Sequence, residues 1–145
     1  MAHEQLFHVG VKALITNAEG NILVLKTVPL HGAGPHWDIP GGRIQTGQTA
    51  DETLRREVAE ETGVREVRDI SFFTAVISPM EIPVPNIGTV SLLLMIYKAT
   101  IPDSAVVTLS EEHTSYDWVA PDEAAVRLRF KYPADFTRQL TDGKA

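Results

Sequence analysis

Three glutamates fall close together in the run Arg55-Arg56-Glu57-Val58-Ala59-Glu60-Glu61. In a helix each residue turns by about 100°, so with Glu57 at zero, Glu60 lies near about −60° and Glu61 near about +40°. All three carboxylates then share one arc. Ala50, Leu54 and Val58 fall at about 20°, 60° and 100° on the same wheel, so the apolar stripe overlaps the acidic one and Glu61 points toward the packed side. Carboxylates crowded at the edge of a packed face repel one another and are costly to desolvate. They call for a counterion, and an all-oxygen ligand set favours a hard cation such as Mg²⁺ or Mn²⁺. An acidic helix stretch met in isolation is usually only a solvated face, so the elements around this one decide how it is read.

Those elements are written into the flanking sequence. Thr49 stands at the N-cap position and Glu52 three residues on, the spacing of a reciprocal capping box. Gly63 supplies a left-handed terminator, so the predicted helix runs from Ala50 to Thr62. Upstream, Pro40-Gly41-Gly42 forms a glycine turn in which a phosphate can approach the backbone of Gly41 and Gly42, with Arg43 placed to grip it bidentately.

Glycine turn and capped helix together resemble the signature of the Nudix hydrolases: Gly, five residues, Glu, seven residues, Arg-Glu, apolar, any, Glu-Glu, any, Gly, apolar. Gly42 opens it, Arg56 and Glu57 form the Arg-Glu pair, Val58 is apolar, Glu60 and Glu61 are the paired acids, and Gly63 and Val64 close it. The first Glu of the pattern is replaced by Gln48, and Gln45 stands where family members often carry an acid. Gln48 keeps the hydrogen-bonding shape but adds no charge.

The resemblance implies an α/β fold, a single Nudix α/β/α sandwich domain with a mixed central sheet spanning residues 1–145. It further implies a pyrophosphohydrolase in which Glu57, Glu60 and Glu61 hold the cation and Arg56 orients a carboxylate from four residues away. With those acids committed to metal, a further carboxylate must activate water. In the family it often comes from a late loop; Glu112 is the first choice and Glu111 the second. The expected substrate is a small nucleotide or nucleotide sugar: an ADP-ribose-like compound, a nucleoside triphosphate or a dinucleoside polyphosphate. Pro79 has a placement resembling ADP-ribose-cleaving members. A non-catalytic nucleotide-binding module is the alternative, favoured only by Gln48. The isomerase branch of the family uses a cysteine, and this chain has none.

Composition bounds the rest. With 145 residues and 43% hydrophobic content the chain is large enough for one core of its own. It contains no apolar run long enough to span a bilayer, and Met1-Ala2-His3-Glu4 does not begin a secretory signal. Cytoplasmic residence is expected, as a monomer or homodimer. A net charge of −6 argues against a nucleic-acid surface. It also requires local cations to invert the field wherever a phosphate binds.

Along the chain, residues 7–16 and 21–27 read as strands joined in a hairpin by Asn17-Ala18-Glu19-Gly20. Lys26, near the end of the second, is a solvated edge residue or a phosphate contact. Residues 28–36 form a loop whose His31 and His36 carry no assigned role, and Trp37 anchors that loop to the core. Extended segments follow at 64–70 and 71–78, then a proline-rich loop from Pro79 to Pro85. A central buried strand is predicted at 90–97, a polar loop at 101–115 and a short strand at 116–119. Helices are predicted from Pro121 to Leu128, with Asp122 and Glu123 at the positive end, and from Pro133 to Leu140, after which 141–145 fray.

Overall fold

A computed structural model describes residues 3–30 and 32–142. His31 and residues 143–145 of the expected fraying tail lie outside them, as do Met1 and Ala2; Thr141 is still helical.

Two sheets form the middle layer. The first joins β4 (Gly41–Arg43), β1 (Phe7–Ile15), β6 (Gly88–Thr100) and β5 (Arg68–Val84) in that order, with β1 and β6 parallel and the other pairs antiparallel. The second is antiparallel, in the order β3 (Trp37–Asp38), β2 (Ile22–Thr27), β7 (His113–Val119). Period-two alternation sorts the strand residues onto opposite faces. Val11, Ala13 and Ile15 of β1 and Leu23 and Leu25 of β2 meet Leu54 and Val58 of α1 (Ala50–Thr62). Leu14, Ile22 and Val24 face the other way, onto Leu128 and Phe136, where α2 (Pro121–Arg127), a 3-10 turn (Leu128–Phe130) and α3 (Ala134–Thr141) pack. The chain is therefore a mixed α/β sandwich. Leu54, Val58, Leu128 and Phe136 have no exposed surface, and each such side chain contributes about 1.5–3 kcal/mol by burial.

Helix α1 is built as its sequence dictates. Thr49 accepts from the Glu52 amide at 3.1 Å while Glu52 accepts from the Thr49 amide at 3.0 Å. Gly63 ends the helix at φ 74°.

Three expectations are corrected. The first two strands do not form a hairpin. They share the Thr16–Ile22 bridge and then enter different sheets, because β1 pairs along its whole length with β6. Pro79–Pro85 is not a loop: Pro79 and Pro83 lie inside β5, whose register shifts between Ile77 and Glu81. Prolines are tolerated there because β5 is an edge strand with a free N–H side. The last sheet strand begins at His113 and not at Tyr116, and the preceding loop buries Ala105, Val107 and Leu109 against the α1 side of the core.

Candidate active site

Helix α1 reaches the site over strand β4, and glycine makes that possible. A Cβ on Gly42 would sit 2.3 Å from the Glu57 carboxyl carbon, so the missing side chain is the space the carboxylate occupies. At Gly41, with φ 150°, a Cβ would lie 2.2 Å from the Val11 carbonyl oxygen; its N–H donates to Glu61 Oε1 at 2.9 Å. An open cavity of about 380 Å³ results. Glu57, Glu60, Glu61 and Glu112 all line it, as do Gly41, Gly42, Arg43 and Arg56; Glu111 does not. Its apolar side is made by Leu30, Met80, Ile82, Leu92 and Leu94.

The acids differ in environment. Glu61 is 7% exposed, and burial, with the Asp38 and Glu57 charges adding to it, pushes its carboxyl up to about 8 against the pull of Lys12 and the Gly41 amide. Burial also raises Glu57, and the neighbouring Glu60 charge adds to this, while Arg56 opposes. The Glu60 side chain is 58% exposed and stands 3.5 Å from Arg56 Nη1. The same nitrogen is 2.8 Å from Glu57 Oε1, so Arg56 ties two of the three acids. Gln48 Oε1 accepts from Arg56 Nη2 at 3.2 Å and from Thr53 Oγ1 at 3.4 Å. The departure at this position thus keeps a role in fixing the arginine. Arg43 Nη1 lies 3.1 Å from His8 Nδ1 at the rim. Glu112 is exposed, and its carbonyl accepts from the Val28 amide at 2.9 Å, pinning its loop beside the end of β2.

Behind these residues lies a buried cluster that no motif in the sequence announces. Asp38 accepts from Lys12 Nζ at 3.1 Å, Lys131 Nζ at 2.7 Å and the Tyr132 hydroxyl at 2.6 Å, and its Oδ1 also receives the Ile39 amide at 2.8 Å. Burial disfavours the Asp38 charge, but the two ammonium groups and these hydrogen bonds outweigh it and hold its carboxyl well below the usual range. Burial likewise disfavours the Lys12 charge, and Asp38, with Glu61 and Glu57 beyond it, holds Lys12 above the ordinary lysine value. One signal was available: a lysine in the middle of the apolar strand β1 needs a buried counterion. His113 also lines the cavity; burial chiefly lowers its pKa, and its buried Nδ1 has no hydrogen-bond partner among the described residues. Lys26 and Trp37 sit apart from the cavity; the Lys26 ammonium lies 5.9 Å and the Arg127 guanidinium 4.6 Å from the Trp37 ring, which packs on the core.

The donor set fits a hard divalent cation: it is all oxygen, and Glu57 and Glu61 are held in a partly dry crevice where repulsion and burial already disfavour their charges. Among the described residues no three His, Cys, Asp or Glu side chains stand assembled as a ready ligand group, although Glu57, Glu60 and Glu61 all line the one cavity.

A sandwich fold whose cavity gathers carboxylates from a capped helix behind two glycines defines a hydrolase of acid anhydrides. The NUDIX domain profile matches residues 6–140, and the chain belongs to the Nudix family as a Nudix pyrophosphohydrolase; enzymes of this family generally use a divalent metal. It is 27% identical over 128 residues to a MutT-like protein of Streptomyces ambofaciens, covering 88% of this chain and 73% of that one. It is 30% identical over 117 residues to the nucleoside triphosphatase NudI of Salmonella heidelberg, covering 78% and 82%. The crystal structure of the MutT protein from Methanosarcina mazei superposes with a TM-score of 0.69 at 26% identity over 99% of each chain. No helix among the described residues is long and apolar enough to cross a membrane.

Proposed function

We propose that the chain hydrolyses a pyrophosphate bond in a nucleoside diphosphate linked to a further group, with Mg²⁺ or Mn²⁺ held by Glu57, Glu60 and Glu61. The observation that carries this reading is the convergence of those three acids and Glu112 on one cavity. A cation held by Glu57, Glu60 and Glu61 would supply positive charge to offset that on the pyrophosphate oxygens. Glu112 takes the proton from water, which attacks phosphorus, and the leaving phosphate departs with the bridging oxygen. Its exposed side chain at the cavity wall can reach a substrate water. Arg56, already bonded to Gln48, orients Glu57 and Glu60. Gly41 and Gly42 make room for the Val11 backbone and the Glu57 carboxylate and not, as expected, for a phosphate, and Arg43, which lines the same cavity, grips the phosphate.

Among the substrate classes, a nucleoside triphosphate comes first, supported by the similarity to the NudI nucleoside triphosphatase. Pro79 lends no support to ADP-ribose, since it does not line the cavity, whereas its neighbour Met80 does. A Mg²⁺-dependent hydrolysis screen over normal and oxidised nucleoside triphosphates, ADP-ribose, sugar nucleotides and dinucleoside polyphosphates tests the reading. Turnover of triphosphates that vanishes in EDTA and in Glu57→Gln is expected. Cleavage of none of these compounds sinks it.

A further inference from the structure

The cavity also carries two ammonium groups that the acidic helix does not explain. Lys12 and Lys131 both contact the same atom, Asp38 Oδ2, at 3.1 and 2.7 Å. The two ammonium groups therefore share one carboxylate, and Glu61 is a further negative charge that acts on both. The Lys12 side chain is only 4% exposed and that of Lys131 is 16% exposed, and both line the cavity, so of the two Lys131 is the more open to it.

Lys131 is also held in place. Its carbonyl accepts from Ser78 Oγ at 2.6 Å, the next amide donates to the Leu128 carbonyl at 3.0 Å, and the Tyr132 hydroxyl closes onto Asp38. An ammonium is a donor without acceptor capacity. Burial and the neighbouring Lys12 charge pull the Lys131 pKa below the ordinary lysine value while Asp38 opposes them, so the charge it keeps is poorly solvated and gains from a further acceptor. A neutral base carbonyl would not require that charge; a phosphoryl oxygen would.

We propose that Lys131 is a substrate-binding residue that donates to a non-bridging oxygen of the polyphosphate chain, with Asp38 as the residue that positions it. The inference rests on the reading of the cavity as a pyrophosphate site and names the protein's own cation for it. The contact requires no metal, and this separates the two tests.

Binding of inorganic pyrophosphate to the full chain is measured by calorimetry in EDTA. Wild type is expected to bind, Lys131→Met to lose tenfold or more in affinity, and Lys131→Arg to recover most of it. In ¹⁵N-labelled wild type, the Lys131 ammonium resonance is expected to shift as pyrophosphate is added and to stay put with adenosine, and this measurement decides the matter if Lys131→Met does not fold. No pyrophosphate binding by wild type in EDTA, equal affinity in Lys131→Met, or an unmoved Lys131 resonance each overturns the proposal. If wild type hydrolyses nothing with Mg²⁺ while these binding results hold, the functional reading falls and the assignment of Lys131 stands.

Discussion

Replacing Asp38 by asparagine tests whether the buried cluster behind the site is held by charge. The Asp38 side chain is 7% exposed and receives two ammonium groups, one hydroxyl and one amide. The substituted carboxamide keeps an oxygen for Tyr132 and Ile39, but its second position becomes an NH₂ that faces two further donors. Lys12, with almost no exposed surface, is then a buried cation without its counterion. Removing one partner of such a pair costs about 3–5 kcal/mol, a large share of a total stability of roughly 5–15 kcal/mol, and lowers Tm by roughly 10–20 °C. Urea denaturation at pH 7 reads the loss as a lower midpoint at unchanged m. If charge is the cause, Lys12→Met added to Asp38→Asn recovers part of the loss, as a double-mutant cycle would show. Wild type also has a pH signature. The depressed Asp38 pKa contributes stability that is complete above its unfolded value near 3.8 and is lost as pH falls below it. Asp38→Asn lacks that acid limb. A loss under about 1 kcal/mol, or a double variant no more stable than Asp38→Asn alone, refutes the reasoning.

The other predictions concern the cavity itself. Gly42→Ala places a methyl on the Glu57 carboxylate and is expected to cut turnover about a hundredfold while costing about 1–3 kcal/mol; wild-type kinetics in that variant would show that Glu57 has room to spare. Glu112→Gln is expected to lower kcat about tenfold or more with an unchanged melting curve, and full activity removes it from the mechanism. In EDTA the raised Glu61 pKa contributes stability that is complete below 4.5 and lost as pH rises through about 8, up to about 5 kcal/mol; a Glu61→Gln chain whose stability falls equally over that range would contradict the assignment. Millimolar Mg²⁺ is expected to raise Tm by mass action, and an undiminished rise in both Glu60→Gln and Glu61→Gln would move the metal elsewhere.

What could be read in the sequence and what could not divide along a physical line. Helix α1 was legible to the residue because its determinants are local: Thr49 and Glu52 satisfy each other's amides across three positions and Gly63 needs only its own backbone. The inward turn of Glu61 followed from helical periodicity alone, and it is the most buried of the three acids. Strand pairing was less accessible, since the prolines of β5 look like loop residues until the strand is known to lie at a sheet edge. The Asp38 cluster was the least accessible part, because its partners lie 26, 93 and 94 residues away and no spacing rule links them. Yet Lys12 in β1 already carried half of that information. A charge with apolar residues on both sides implies a distant acid, but nothing in the chain says which of its 19 acids that is. The same logic applies to the cavity as a whole: three of its acids are written in one contiguous segment, whereas Glu112 and the lysines, from β1 and the segment before α3, join them only once the chain has folded.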